Sequence, residues 1–411
     1  VVGAPNHRSA GGGFADPHSR RIGCESPTGR RHATGTACTP GNAARRRCPI
    51  CPKDISFRHF LSQDLVTTLT SPPRQQVVRI ARHPEGAPRA DDFRLDEDVV
   101  PRPSAGELRV RVDCLSIDPY LRALLGARYL TARPPVGAVV PGTGLCTVVE
   151  SGDPGFAPGD LVVGDCGWRE TAALPAAAVR RVDPGLAPPT TALGVLGIPG
   201  LTAWAGLRTI ARARAGDTVL VSTAAGAVGS LAGQLARRDG ARPVGIAGGP
   251  DKCRLAVTEF GYAACVDYRA KDFEAQLRAT CPDGIDVYFD NVGGRVLEAA
   301  IGLLRKHARV VLCGLIDQYN AAQRPPGPNL GPVIGTRATL TGLVVYDHLD
   351  RLPDFLAEVA PGVRDGSIRW REDARRGLAA APQAFVDLMR GANVGKLLVR
   401  VDGTPATGRS G

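Results

Sequence analysis

Residues Thr218–Gly229 read TVLVSTAAGAVG, a short apolar run that ends in a turn of small residues. Val219, Leu220 and Val221 stand in unbroken succession, as in a parallel strand covered on both faces. Ala224, Ala225, Gly226 and Gly229 then keep the turn nearly free of side chains. A bare backbone lets peptide N–H groups and a helix N-terminus approach a pyrophosphate, where the helix dipole favours negative charge. The same spacing also occurs where a strand simply packs against the helix it feeds, so the surrounding sequence has to decide.

The surroundings favour a nucleotide fold. Helical periodicity over Ala227–Arg238 is followed by a second strand, RPVGIA (Arg242–Ala247). Helices are expected at Asp251–Phe260, Asp272–Thr280 and Arg295–Leu304, with strands at Ala264–Asp267, Ile285–Asn291 and Arg309–Cys313. Strands alternating with helices of this length specify an α/β protein with a Rossmann-type, doubly wound parallel sheet.

The end of the second strand speaks to the cofactor. A site for NAD places an acidic residue there for the ribose hydroxyls. Here the chain has Gly248-Gly249-Pro250, with Lys252 just beyond and Tyr268 after the next strand. An ammonium group pairs with a 2′-phosphate that a carboxylate would repel, so NADPH is expected. Asp251 is nearby but falls in the first turn of a helix, where capping can occupy it. The other reading of Lys252 is a solvated charge on a helix face.

The chain has 411 residues, enough for two domains. It lacks eighteen consecutive apolar residues and an apolar secretory leader, and its eleven scattered cysteines suit reduced thiols. A cytoplasmic enzyme is expected. Residues 1–75 differ in kind: rich in Gly, Pro, Arg, Ser and Thr, they carry eleven Lys and Arg against four acidic residues. Such composition reads as a disordered basic extension, with a nucleic-acid-binding arm as the alternative. Residues 403–411 read as a flexible tail.

Residues 76–200 read as mostly β, with strand-like runs at Val77–Arg82, Leu108–Ile117, Gly144–Glu150 and Asp160–Gly164. Distinctive motifs are dispersed from Gln76 to Val401: LSIDPYLR (Leu115–Arg122), GDLVVG (Gly159–Gly164), LGVLGIPGLTAW (Leu193–Trp204) and AAGAVGS (Ala224–Ser230). GIAGGPDKCR (Gly245–Arg254), DGIDVYFDNVGG (Asp283–Gly294), CGLIDQYN (Cys313–Asn320), PPGPNL (Pro325–Leu330) and NVGKLLVRV (Asn393–Val401) follow in order. In these the chain resembles the medium-chain dehydrogenase/reductase superfamily. The match is to its zinc-independent branch of prostaglandin and leukotriene reductases, curcumin reductases and alkenal double-bond reductases. It departs at Trp204, Thr223, Leu340 and Arg269, where that branch usually has Tyr, Ala, Met and Lys.

The resemblance implies a GroES-like, mostly β catalytic domain over 76–200, completed by a returning segment at about 370–402. The Rossmann NADPH-binding domain would occupy 201–369, with the active site between the two. Zinc-dependent relatives carry a Gly-His-Glu segment, where this chain has PGTGLCTVVESG (Pro141–Gly152) without histidine. Asp118-Pro119 stands near the place of their early cysteine ligand, and no metal is expected.

The implied reaction is NADPH-dependent reduction of the activated C=C bond of an α,β-unsaturated ketone or aldehyde. Tyr319 would donate to the developing enolate oxygen, and Tyr120 would line the pocket or support the nicotinamide. Each tyrosine reads otherwise as a packed residue with its hydroxyl satisfied. Ala224, Ala225, Gly226 and Ala227 would meet the pyrophosphate, Gly229 would also bind the cofactor, and Lys252 and Tyr268 would meet the adenosine phosphate end. Asn291 would lie at the carboxyl edge of its strand. Cys313, Gly314, Leu315, Ile316, Asp317, Gln318 and Tyr319, with Leu343, Val344 and Val345, would flank the nicotinamide ribose and ring. Asn393 would reach in from the returning segment. Asn291 and Asn393 also read as ordinary turn residues.

Two alternatives stand beside this reading: an NADPH:quinone oxidoreductase of a sister branch, and an NADPH-binding sensor or RNA-associated protein using the basic extension. The expected partner is a small enone or enal, without membrane or nucleic acid. Relatives are often homodimers, though nothing in the sequence fixes an interface. The Pro- and Gly-rich loop Ala321–Gly335 is expected to border the pocket.

Overall fold

The computed structural model describes residues 72–126, 130–321, 323 and 325–401. The extension before residue 72 and the tail from residue 402 lie outside the described residues. The first strands in chain order are β1 (Arg74–Ile80), β2 (Phe93–Val99), β3 (Glu107–Ser116), β4 (Gly144–Ser151), β5 (Leu161–Gly164), β6 (Thr171–Pro175) and β7 (Arg180–Arg181). Then come β8 (Thr218–Ser222), β9 (Arg242–Ala247), β10 (Ala264–Asp267), β11 (Ile285–Asp290), β12 (Leu304–Leu312) and β13 (Thr339–Gly342). The last two are β14 (Glu372–Arg376) and β15 (Lys396–Arg400).

Strands β8 to β13 form one six-stranded sheet in the order β10-β9-β8-β11-β12-β13, and every pair in it is parallel. Counted within the sheet this is 3-2-1-4-5-6, the order of a dinucleotide fold. The unbroken apolar run predicted a strand covered twice, and the packing agrees. Val219 and Val221 enter one core with Phe289 and Leu231, while Leu220 enters the opposite core with Tyr288 and Val244. Burying each such side chain contributes roughly 1.5–3 kcal/mol.

Two boundaries differ for local reasons. The helix after β8 begins at Gly229, two residues later than the periodicity suggests, because Gly226 and its neighbours form a turn. Gly229 must be glycine there: a Cβ would stand 2.2 Å from the carbonyl oxygen of Thr223. Strand β13 went unforeseen, since its short TLTG stretch carries little apolar pattern on an exposed sheet edge. Trp204 is accommodated in place of the usual tyrosine: its Nε1 donates to Glu358 Oε2 at 2.6 Å.

The mostly β domain is built around β3, which pairs with β4, β6 and β15. Strand β15 lies antiparallel to β3, with Leu398 opposite Ser116, so the segment after the parallel sheet returns to pair in this domain. Its start lies inside the stretch read as extension: Arg74 and Gln75 already pair with Val99 and Asp98 in β1–β2. Among the described residues, no helix is long and apolar enough to cross a membrane.

Candidate active site

A cleft of about 1050 Å³ runs along the carboxyl edge of the parallel sheet and against the barrel. The residue that follows each of the six strands, Thr223, Gly248, Tyr268, Asn291, Cys313 and Leu343, contributes to its wall. Ligands in open α/β sheets sit at this edge, where strand order reverses about the first strand.

Ala225, Gly226 and Ala227 of the glycine turn line the cleft, but Ala224 and Gly229 do not. Ala224 is fully buried, and its N–H donates to the carbonyl of Ile246 at 3.0 Å. These two residues shape the turn from behind. The returning segment docks on the same turn: Gly395 N–H donates to Ala225 O at 2.9 Å, and Asn393 Nδ2 to Gly395 O at 2.9 Å. Asn393 thereby faces the cleft.

At one end of the cleft stand Gly248, Lys252, Tyr268 and Arg269. A Cβ on Gly248 would lie 2.9 Å from the Tyr268 ring, so the bare backbone and the ring occupy one corner. Lys252 Nζ donates to Gly391 O at 2.7 Å. Burial, and next the charge of Arg269, hold its pKa below the ordinary lysine range. The corner is braced by Asp267, whose Oδ1 accepts the N–H groups of Gly249 at 2.8 Å and Arg269 at 2.9 Å. Asp251 is turned away and paired with Arg254. Two cations and no free carboxylate at the strand end suit a 2′-phosphate.

Asn291 is fixed at the end of β8: its Nδ2 donates to Ser222 O at 2.9 Å, and its N–H to Ser222 Oγ at 2.8 Å. Beside it the buried Asp290 accepts from Tyr288 Oη at 2.6 Å and from the N–H groups of Val292 and Gly293. Burial raises this carboxyl above the usual aspartate range, against the Tyr288 hydrogen bond.

Beyond β12, Cys313, Gly314, Ile316 and Tyr319 line the cleft, as do Leu343, Val344 and Val345. Leu315 and Asp317 are exposed, and these two and Gln318 are not part of the wall. The short helix Ile316–Tyr319 carries the tyrosine. Burial, followed by the charge of Asp290, pushes the Cys313 thiol up to about 12, so it stays protonated.

The barrel supplies the other wall through Ser116, Asp118, Tyr120, Thr143, Val163, Arg180 and Lys396. Lys396 Nζ, almost wholly buried, pairs with Asp118 Oδ1 at 2.5 Å and donates to Ile117 O at 3.1 Å. Ser116 Oγ also donates to Asp118. Sequence reading missed Asp267, Arg269, Arg180 and Lys396 as parts of this site. Arg269 had a signal, since it directly follows Tyr268 at a strand end. Among the described residues, no three His, Cys, Asp or Glu side chains gather as a metal site would require.

Residues 76–182 match a family model described as the N-terminal domain of oxidoreductase, and residues 227–360 match one described as zinc-binding dehydrogenase. The chain is 39% identical over 331 residues to the NADPH-dependent curcumin reductase of Escherichia coli (strain K12), covering 79% of this chain and 96% of that protein. It is 38% identical over 292 residues to the NADP(+)-dependent 2-alkenal reductase of Nicotiana tabacum, covering 70% and 85%. The crystal structure of CurA in complex with NADPH from Vibrio vulnificus aligns with a TM-score of 0.76 at 36% identity, covering 80% of this chain and all (100%) of that one.

Proposed function

The chain belongs to the medium-chain dehydrogenase/reductase superfamily, in the subfamily of curcumin, alkenal and prostaglandin reductases, and from that premise we propose that it reduces the activated C=C bond of α,β-unsaturated ketones and aldehydes with NADPH. The observation that carries this reading is that a phosphate-suited corner and a tyrosine share one cleft, with Lys252 in that corner and Tyr319 elsewhere in the wall.

The residues fit the cofactor. Ala225, Gly226 and Ala227 would receive the pyrophosphate on a backbone without bulk, and Lys252, Arg269 and Tyr268 the 2′-phosphate end. Asn291, Cys313, Gly314, Leu343, Val344, Val345 and Asn393 would surround the nicotinamide half. When bound, NADPH supplies a hydride for the substrate's β-carbon.

The chain's own contribution is charge stabilisation and orientation. Tyr319 Oη donates a hydrogen bond to the substrate carbonyl oxygen and holds it as enolate charge grows there. Gly314 brings the backbone close under the end of β11: a Cβ there would stand 3.2 Å from the carbonyl oxygen of Asn291. Tyr120 packs against the substrate from the barrel side. The α-carbon then takes a proton, giving the saturated carbonyl product.

Steady-state consumption of NADPH with an alkenal, an aromatic enone and a quinone tests the reading. Turnover of the enal and enone with little of the quinone is expected. A preference for the quinone would transfer the protein to the oxidoreductases that reduce quinones, and no consumption with any of them would remove the enzymatic reading.

A further inference from the structure

We propose that Cys253 and Cys265 form a reversible disulfide behind the phosphate corner, and that closing it weakens NADPH binding by drawing Lys252 out of place. Such a switch stands apart from the carbonyl chemistry and needs only a cofactor that pairs with Lys252. Cys253 belongs to the helix Pro250–Thr258 and directly follows Lys252. Cys265 is the second residue of β10, at the edge of the parallel sheet. Alternation along β10 turns Val266 into the core it shares with Val244 and Ile246, and Cys265 to the opposite face. Asp267, two residues on, accepts the N–H of Gly249 just before the helix. The helix start and β10 are thus already linked by one hydrogen bond.

The two thiols are hydrogen-bonded to each other, both are free, and both residues are partly exposed. Neither lines the cleft, so the chemistry described above uses neither sulfur. Gly245 of β9 pairs with Cys265, and a Cβ there would stand 3.0 Å from its Sγ, so glycine keeps that sulfur unhindered. The Cys265 thiol donates to Cys253 and holds it below the ordinary thiol range, against burial and the charge of Asp267. The same hydrogen bond, followed by burial, raises the Cys265 thiol. Burial also raises the thiols of Cys114, Cys281 and Cys313. Reactivity follows the thiolate, so an oxidant meets Cys253 first.

The oxidant is a peroxide. Cys253 gives up its proton, and its sulfur attacks one oxygen of hydrogen peroxide. The O–O bond breaks, Cys253 becomes a sulfenic acid, and the other oxygen leaves as hydroxide, which takes a proton to give water. The Cys265 sulfur then attacks the Cys253 sulfur, the S–O bond breaks, and a second water leaves with the Cys265 proton. Two thiols have lost two electrons, and the peroxide has become two waters.

Sulfurs in hydrogen-bond contact must close to a bond of about 2 Å. Strand β10 is held by its ladder with β9, so the helix start is the part that gives. Lys252 moves with it, and its ammonium, which reaches Gly391 O from this turn, leaves the position that pairs with a phosphate.

The test treats the reduced full-length protein with hydrogen peroxide, removes the excess, and reduces one half again with dithiothreitol. Peptide mapping by mass spectrometry should find Cys253 joined to Cys265, two hydrogens lighter than the paired thiols. The Kd for NADPH, read by fluorescence titration, should rise about tenfold on oxidation and return on reduction, as when one charge-assisted contact is lost. The Kd for NADH should change little. Cys253→Ser should bind NADPH as the reduced wild type does and ignore the peroxide. Cys265→Ser should stop at a Cys253 sulfenic acid that dimedone captures. Absence of the cross-linked peptide, an unchanged Kd for NADPH in the cross-linked protein, an equal loss for both cofactors, or a peroxide effect that persists in Cys253→Ser would overturn the switch. No NADPH binding by the reduced protein would remove it too. Failure to reduce any enone would end the reductase reading and leave these readouts intact.

Discussion

Arg122 of the barrel donates from Nε to Oδ1 of Asn320 at 3.1 Å, joining positions 198 residues apart. Asn320 immediately follows Tyr319. The guanidinium is buried and also donates to Gly86 O at 2.7 Å, so it is anchored in the barrel while it grips the segment that carries the tyrosine. Asn320→Ala should therefore lower kcat by about tenfold and leave the KM for NADPH nearly unchanged, as expected when a reacting group is misplaced. A change confined to the KM for NADPH would show that the contact serves the cofactor alone.

Tyr319→Phe keeps the ring and removes the donor. Turnover should fall by about ten- to a thousandfold, the cost of one oxyanion donor. Single-turnover loss of NADPH absorbance measures it directly, and an unchanged rate would move the role to Tyr120 or to water. EDTA should leave the wild-type rate unaltered, because among the described residues no metal ligand set assembles.

Lys252→Ala should raise the KM for NADPH about ten- to a hundredfold and that for NADH little, since only NADPH offers a phosphate to pair with. Burial and Arg269 hold the Lys252 pKa low, while Asp373 opposes them. The ammonium is thus lost at lower pH than in an ordinary lysine. The advantage of NADPH over NADH should shrink as pH rises through that value and be full below it. Equal effects on both cofactors would take Lys252 out of this role.

The Lys396–Asp118 pair predicts a stability loss. Asp118→Asn leaves the nearly buried ammonium without its counter-charge. Removing one member of such a pair costs about 3–5 kcal/mol. Urea unfolding followed by tryptophan fluorescence should show a lower midpoint at an unchanged slope.

Deletion of residues 1–71 should leave turnover and the melting temperature in place, since it keeps the first described strand, which begins at Arg74, whole. A salt-sensitive affinity for RNA that vanishes with the deletion would revive the basic-arm alternative.

The nucleotide half of the site was legible because its geometry is local. A strand ends where its apolar run stops, and the next residue faces the cleft, as Gly248, Asn291 and Cys313 do. The family motifs pointed to Tyr319, and the strand-end reading to Lys252; both stand in the wall of one cleft. The barrel wall was less legible because its pairs are distant in sequence: Lys396 meets Asp118 across 278 residues, and Arg122 meets Asn320 across 198. Arg180 was hidden differently. Two consecutive arginines give no hint of which faces the cleft until strand pairing fixes their faces.

The contact between Gly395 and the turn at Ala225 also orders events during synthesis. A ribosome completes the parallel sheet and its glycine turn before Asn393, Gly395 and Lys396 have been made. The emerging chain thus has a parallel sheet whose cleft lacks part of its wall and a barrel that lacks β15. Both gaps are filled by one short C-terminal stretch, so a message broken near its end yields a protein deficient in cofactor site and substrate domain together.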